Sequence, residues 1–273
     1  LKKELQNAEK PAVSALYEGT FSVGLDKKFI RIEPTDAPIK GALKLSINPF
    51  LIRFAGRVHL FDCGLGEFGE DTSLETIRKH LDRCKLSPFD VTDIFISHMH
   101  YDHLGGLAGT ENGYLELTFP KANLWVNQNE WERVRKRDGA TDDENKRLFF
   151  HFLDSHANLQ MVKGDTKPYP EIRVQEVGGH TEFSQVLYLE SGPHKYMMAG
   201  DIIGRRAAVQ QKFTAKFDFD PKKSLKIREG LKRKAFEEGY VIMAYHETES
   251  PLFRIAGYDP KQGYTTETVE SSP

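Results

Sequence analysis

His98-Met99-His100-Tyr101-Asp102-His103 places four potential metal ligands within six residues, directly after the apolar run Ile94-Phe95-Ile96. That run reads as a short buried strand, so the ligands lie on a strand-to-loop edge. Alternate side chains of extended backbone share a side, so His98 and His100 can hold one ion together. The turn that follows is freed by Gly105-Gly106 and can aim Asp102 and His103 at a second ion. Taken singly, His59, His80, His151, His156 and His194 read as surface or satisfied core histidines and receive no role. The density of the six-residue cluster reverses that balance and points to metal.

Three further candidates stand where predicted strands end. They are His180 in Gly178-Gly179-His180-Thr181, Asp201 in Met198-Ala199-Gly200-Asp201, and His246 in Ala244-Tyr245-His246-Glu247. Imidazoles and carboxylates without a thiolate suit zinc, manganese, iron or cobalt, and they suit an open catalytic site better than a closed structural zinc site.

Around these residues, strands are expected at 20–23 and 29–32, joined by a turn at 24–28, and at 50–54 and 58–61, split by Ala55-Gly56-Arg57. Leu74, Ile77 and Leu81 recur at helical spacing and predict an amphipathic helix over 73–84 with Ser73 as its cap. Further strands are expected at 124–126, 172–177, 185–189, 196–199 and 241–244, with helices at 128–137, 144–153 and 221–238. Strands lead and helices interleave in both halves, which suits two sheets faced by helices on the outside. No seam or fixed-period repeat interrupts the chain, so residues 1–273 are expected to form one domain, with a loose tail over 265–273.

Composition narrows the function classes. Apolar residues make up 39% and charged residues 29%, ordinary values for a chain that buries a full core. A formal charge of −2 argues against a general polyanion binder. Cys63 and Cys84 are too few for a disulfide framework and read as reduced thiols. No run approaches the roughly 18 to 20 apolar residues that span a bilayer, and the first residues lack the apolar core of a signal peptide. A cytoplasmic location is the expectation; because the chain starts at Leu1, a removed export signal stays open. Lys222, Lys223, Lys226, Arg228, Lys232, Arg233 and Lys234 share a helix with Leu225, Leu231 and Ala235, which reads as a solvated face. Neither nucleic acid nor membrane is therefore expected as a partner.

With the ligand motifs set out, the sequence resembles the metallo-β-lactamase superfamily, whose members carry His-x-His-x-Asp-His followed by a later His, an Asp and a final His. Phe61-Asp62-Cys63-Gly64 is similar to the family's strand-end Asp-x-Gly motif. The resemblance implies an α+β fold, a four-layer αβ/βα sandwich with two mixed sheets. It implies that His98, His100 and His180 hold one ion, that Asp102, His103 and His246 hold the other, and that Asp201 bridges them. Asp62 would orient a ligand without touching metal. Phe119-Pro120-Lys121-Ala122, the run from Met198 to Ile203, and Gly239-Tyr240 ahead of His246 are similar to the branch containing methyl parathion hydrolase and the N-acyl homoserine lactonases. Two departures stand out. His180-Thr181 is followed by Glu182-Phe183-Ser184 where many relatives read Pro-Gly-His, and Gly204 stands where homoserine lactonases tend to carry a Tyr.

The implied chemistry is hydrolysis by water activated between two divalent ions, zinc foremost and manganese, iron or cobalt otherwise. The substrate class is a small ester-like molecule: a phosphotriester, an ester or a lactone. Asp102 is a candidate for moving a proton to the leaving group. Phe213, Phe217 and Phe219 could line an apolar pocket, and Phe149, with Phe150 and Phe152, could do the same or seal a homodimer. Core packing is the plainer reading for any one of these rings. The rival readings are a glyoxalase II-type thioesterase, a nuclease of the same superfamily and a non-catalytic metal-binding scaffold. Only 27 residues follow His246, short for the helical glutathione-binding extension of glyoxalase II, and no ligand is missing as a scaffold would have it.

Overall fold

Period-two alternation along the strands sends successive side chains into two different cores, and this sets the layers. In the strand Phe50–Phe54, Phe50, Ile52 and Phe54 face a central core while Leu51 faces an outer one. Phe95 is likewise central, and Ile94 and Ile96 are outer. In the strand Gln185–Ser191, Leu187 and Leu189 enter the central core, whereas Val186 and Tyr188 enter an outer core on the far side. A computed structural model describes residues 9–69, 72–138, 143–212, 215 and 217–271.

The first sheet has the strand order Ala12–Ala15, Phe50–Phe54, Arg57–Phe61, Asp93–Phe95, Asn123–Asn127 and Asn158–Val162. Its last four strands run parallel to one another. The second sheet has the order Asp165–Thr166, Ile172–Glu176, Gln185–Ser191, His194–Met198, Val241–Met243, Leu252–Asp259 and Gly263–Thr268. All its neighbours are antiparallel except His194–Met198 with Val241–Met243. Ile77 and Leu81 of the helix Glu75–Arg83, Trp131 and Val134 of Gln128–Asp138, and Phe149, Phe150 and Leu153 of Glu144–His156 close the outer core of the first sheet. Leu231 and Ala235 of Pro221–Glu238 close that of the second. The layers therefore run helix, sheet, sheet, helix, the αβ/βα sandwich implied by the resemblance.

Local chemistry accounts for several element ends. The Asp220 carboxylate accepts from the Lys223 N–H at 3.0 Å, Pro221 starts the helix, and Gly239 ends it in the left-handed region at φ 72°. Ser73 does not cap the helix expected over 73–84. That helix begins at Glu75 after Leu74 and has no side-chain cap. The loose tail is also corrected: residues 265–268 pair with the strand Leu252–Asp259, with Thr268 opposite Phe253. The solvated-face reading of the lysine-rich helix needs revision as well, because Arg228 and Lys232 are buried. Arg228 Nε donates to the Ile202 carbonyl at 2.9 Å and Lys232 Nζ to that of Val209 at 3.0 Å. Those carbonyls belong to the short helical turn that carries Asp201 and to the one after it, so both cations serve to hold that segment.

Candidate metal centre

All seven predicted ligands come together where strands of both sheets end. His98 leaves the strand Asp93–Phe95 through Ile96 and Ser97, and His100 precedes the one-turn helix Tyr101–Leu104 that carries Asp102 and His103. His180 follows Ile172–Glu176, Asp201 follows His194–Met198, and His246 follows Val241–Met243. Gly200 makes the approach of Asp201 possible. Its φ is 49°, and a Cβ there would lie 3.0 Å from Ser97 Oγ.

The donors sort into two groups, His98, His100, His180 and Asp201 in one and Asp102, His103 and His246 in the other. Within each group one donor atom per residue lies within 4.8 Å of all the rest. Asp201 faces both groups: its Oδ2 is 3.2 Å from His180 Nε2, and its Oδ1 is 2.9 Å from His246 Nε2 and 3.3 Å from His103 Nε2. Asp102 Oδ2 lies 3.5 Å from the Nε2 atoms of both His103 and His246.

Hydrogen bonds on the outer side of the rings fix which nitrogens are free. Asp62 is fully buried and accepts at 2.6 Å from the Ser97 N–H, the Ser97 hydroxyl and His103 Nδ1. The Ser97 hydrogen is thereby committed, so its oxygen accepts from His98 Nδ1 at 3.1 Å. His180 Nδ1 donates to Asp218 Oδ1 at 2.8 Å, and His246 Nδ1 to the Ser46 carbonyl at 3.0 Å. Four imidazoles thus commit their Nδ1 proton outward, which leaves Nε2 as the atom that faces inward. His98 Nε2 lies 2.9 Å, and His180 Nε2 3.2 Å, from His100 Nδ1, so three ring nitrogens converge with at most one proton among them. His103 Nε2 and Asp201 Oδ1 are buried without a hydrogen-bond partner. Converging lone pairs and orphaned donor atoms fit divalent cations, and nitrogen with carboxylate oxygen suits zinc and its neighbours.

The electrostatics agree. Burial pushes His98 and His100 well below the usual imidazole range, and the surrounding rings push the same way. Burial also opposes protonation of His103 and His246. The field of Asp102, Asp62 and Asp201 outweighs it at His103, and that of Asp201 and Asp102 at His246, so both are raised and favour a second proton on Nε2, the positive charge that a cation would supply in its place. Burial would raise Asp201, yet His246, His180 and His103 hold it well below the usual carboxylate range. The pocket calls for positive charge.

The chain's sequence matches the profile of the metallo-beta-lactamase superfamily over residues 43–246. The chain belongs to the metallo-beta-lactamase superfamily. The donors form two clusters, each of which could hold a metal ion. Among solved structures, a probable metal-dependent hydrolase from Staphylococcus aureus is similar with a TM-score of 0.76 and 20% identity, over 97% of this chain and 99% of that one. AidC, a dizinc quorum-quenching lactonase, is similar with a TM-score of 0.75 and 19% identity, over 97% and 96%. The likeness to the lactonase branch thus holds at the level of fold. Among curated proteins, ribonuclease Z of Methanococcus aeolicus is 40% identical over 58 residues, 21% of this chain. Ribonuclease Z of Thermococcus gammatolerans is 29% identical over 133 residues, 49% of this chain. The matched stretches span 15% and 32% of those relatives' lengths.

The predicted pocket rings fare differently from the ligands. Phe149 is buried in the outer core against Phe68, with ring centroids 4.9 Å apart, so it backs Tyr101 and does not line an open pocket; Phe150 packs on Trp131. Phe217 is half-buried with Lys27 Nζ 5.3 Å above its ring, and Phe219 is exposed with the Arg133 guanidinium 5.1 Å above it. Phe213 lies outside the described residues.

Sequence reading passed over several residues that build the site. Ser97 and Asp218 set ring orientation, and the only signal for Asp218 was an acidic residue between two phenylalanines. Glu130 is buried and accepts from Thr181 Oγ1 at 2.9 Å and the Phe183 N–H at 3.1 Å, which holds the turn that departs from the family pattern. Tyr245 stacks on His103 and donates to the Asp102 carbonyl at 2.6 Å. Glu18 is buried below the Asp62 turn and accepts from the N–H groups of Leu65 at 2.7 Å and Gly66 at 3.1 Å. Burial pushes its carboxyl up to about 7.

Proposed function

We propose that the chain hydrolyses a small ester-like substrate, a phosphotriester, carboxylic ester or lactone, at a site holding two divalent cations, zinc foremost and manganese, iron or cobalt otherwise. The observation that carries this reading is the outward commitment of four ring protons around seven converging donors, with the two oxygens of Asp201 divided between the groups. Two divalent cations held there would supply the charge that activates water near neutral pH and polarises a carbonyl or phosphoryl oxygen.

The residues of the chain have separate tasks. His98, His100 and His180 form one nitrogen face, and His103 and His246 with Asp102 form the other. Asp201 turns one oxygen toward each face. Asp102 stands between His103 and His246 and is the carboxylate placed to move a proton to the leaving group.

No helix among the described residues is long and apolar enough to cross a membrane. The burial of Arg228 and Lys232 removes two of the cations that a nucleic-acid surface on Pro221–Glu238 would use, which favours a small substrate over RNA. The test is a panel of a chromogenic ester, lactone, phosphotriester and thioester and a precursor transfer RNA, offered to protein loaded with zinc, manganese or cobalt. Turnover of one of the first three supports the reading. Cleavage of the thioester or RNA alone, or two bound ions with no turnover, refutes it.

A further inference from the structure

The segment 217–220 runs beside the turn 178–180. Phe219 N–H donates to the His180 carbonyl and Asp220 N–H to that of Gly179, each at 2.9 Å. Gly179 permits this contact: at φ 96° it leaves room where a Cβ would lie 3.0 Å from the backbone of Ser224. Three consecutive side chains then take different directions. Phe217 lies under Lys27, Phe219 lies under Arg133, and Asp218 turns inward to His180.

Asp218 is an unfavourable residue to bury for stability alone. Its side chain is 3% exposed, and Oδ2 has no hydrogen-bond partner although Oδ1 has one. A buried carboxylate with an unsatisfied oxygen tends to destabilise a fold unless it serves another purpose. Its one bond goes to the outer nitrogen of a predicted metal ligand, where a carboxylate fixes the tautomer and increases the basicity of the inner nitrogen. Arg228 is buried nearby and bears on Asp218, while its Nε holds the Ile202 carbonyl next to Asp201.

We propose that Asp218 is a positioning residue that sets the bond from His180 to metal and locks the rim segment 217–219 to that ligand. The inference rests on the reading that the seven donors hold two cations. A change at Asp218 alters metal retention and ligand geometry together, while the helix that starts at Pro221 stays formed.

The experiment titrates metal-stripped wild type, D218N, D218E and D220A with Co2+ alone and follows the visible ligand-field spectrum, with far-ultraviolet circular dichroism as a check on folding. Wild type is expected to take two Co2+. D218N should bind one of them more weakly by about 10- to 100-fold with an altered spectrum, and D218E should fall between. D220A removes the helix cap without touching His180, so it should lower Tm and leave Co2+ affinity and spectrum unchanged. Should D218N not fold, D218E carries the comparison, and a loss of affinity in folded D218E supports the role. Wild-type affinity and spectrum in the Asp218 variants, or the same loss in D220A, overturn it. Two Co2+ bound by wild type and D218N with equal affinity and the same spectrum remove this inference alone, whereas no Co2+ bound by wild type removes the two-cation reading as well.

Discussion

Glu18 makes the stability of this fold depend on pH in a direction opposite to that of a salt-bridged carboxylate. Burial raises its carboxyl from the ordinary 4.5 to about 7, against the two backbone N–H groups and Arg31 that favour the anion. Between those values the folded chain binds a proton that the unfolded chain has released. Stability from this group is therefore full below 4.5, falls as pH rises, and is lost above about 7. At about 1.4 kcal/mol for each tenfold change in proton activity, the interval amounts to about 3 kcal/mol. That is a large share of the roughly 5 to 15 kcal/mol that holds a typical domain together. The assay is urea unfolding of wild type and E18Q from pH 4.5 to 8 at constant metal concentration. The amide of E18Q turns an NH2 toward one backbone N–H and should cost about 1 kcal/mol at pH 4.5, where Glu18 is itself neutral in the folded chain. Its profile should nonetheless be flatter, so that the difference between the two proteins changes by about 3 kcal/mol across the range. Profiles that stay parallel would refute a buried, proton-seeking Glu18.

Three other outcomes are expected. Asp201→Asn should reduce bound metal from two ions to one and remove most turnover with the fold retained, measured by elemental analysis of the purified protein; an unchanged stoichiometry contradicts the bridging geometry. Gly204→Tyr would place a tyrosine where lactonases tend to have one, but a Cβ there meets His246 Cδ2 at 3.2 Å, so the change should lower ester and lactone turnover alike. A gain in lactone over ester rate would show that His246 can give way. Arg228→Met should destabilise the protein by about 2 to 4 kcal/mol in chemical denaturation, since it strips a buried carbonyl of its donor and Asp218 of nearby charge. A solvated Arg228 would show no such loss.

The sandwich and the seven donors were legible because their signals are local. A buried strand running into His98-Met99-His100-Tyr101-Asp102-His103 needs no distant partner to be recognised, and Pro221–Glu238 carries its cap, its proline and its closing glycine in sequence. The strands Leu43–Ile47, Asn158–Val162 and Leu252–Asp259 were not read, because pairing with remote chain makes them strands. Leu43–Ile47 has only a weak pattern of its own, yet it lies against Gly19–Val23 and delivers the Ser46 carbonyl to His246. The same holds for Arg228 and Lys232: helical spacing reports a face, but whether that face meets water or the carbonyls of Ile202 and Val209 depends on what packs there. Asp218 lay hidden because an acid between two phenylalanines marks no motif until the fold brings His180 beside it.

The donors are drawn from positions 98 to 246 and from both sheets, so cations bound there fasten the two halves of the sandwich as a rivet fastens plates. A ligand present at a thousand times its dissociation constant adds about 4 kcal/mol to a native state that alone binds it. Scarcity of metal would then shorten the lifetime of the protein as well as slow its catalysis, and the amount of intact chain would report how much metal its surroundings supply.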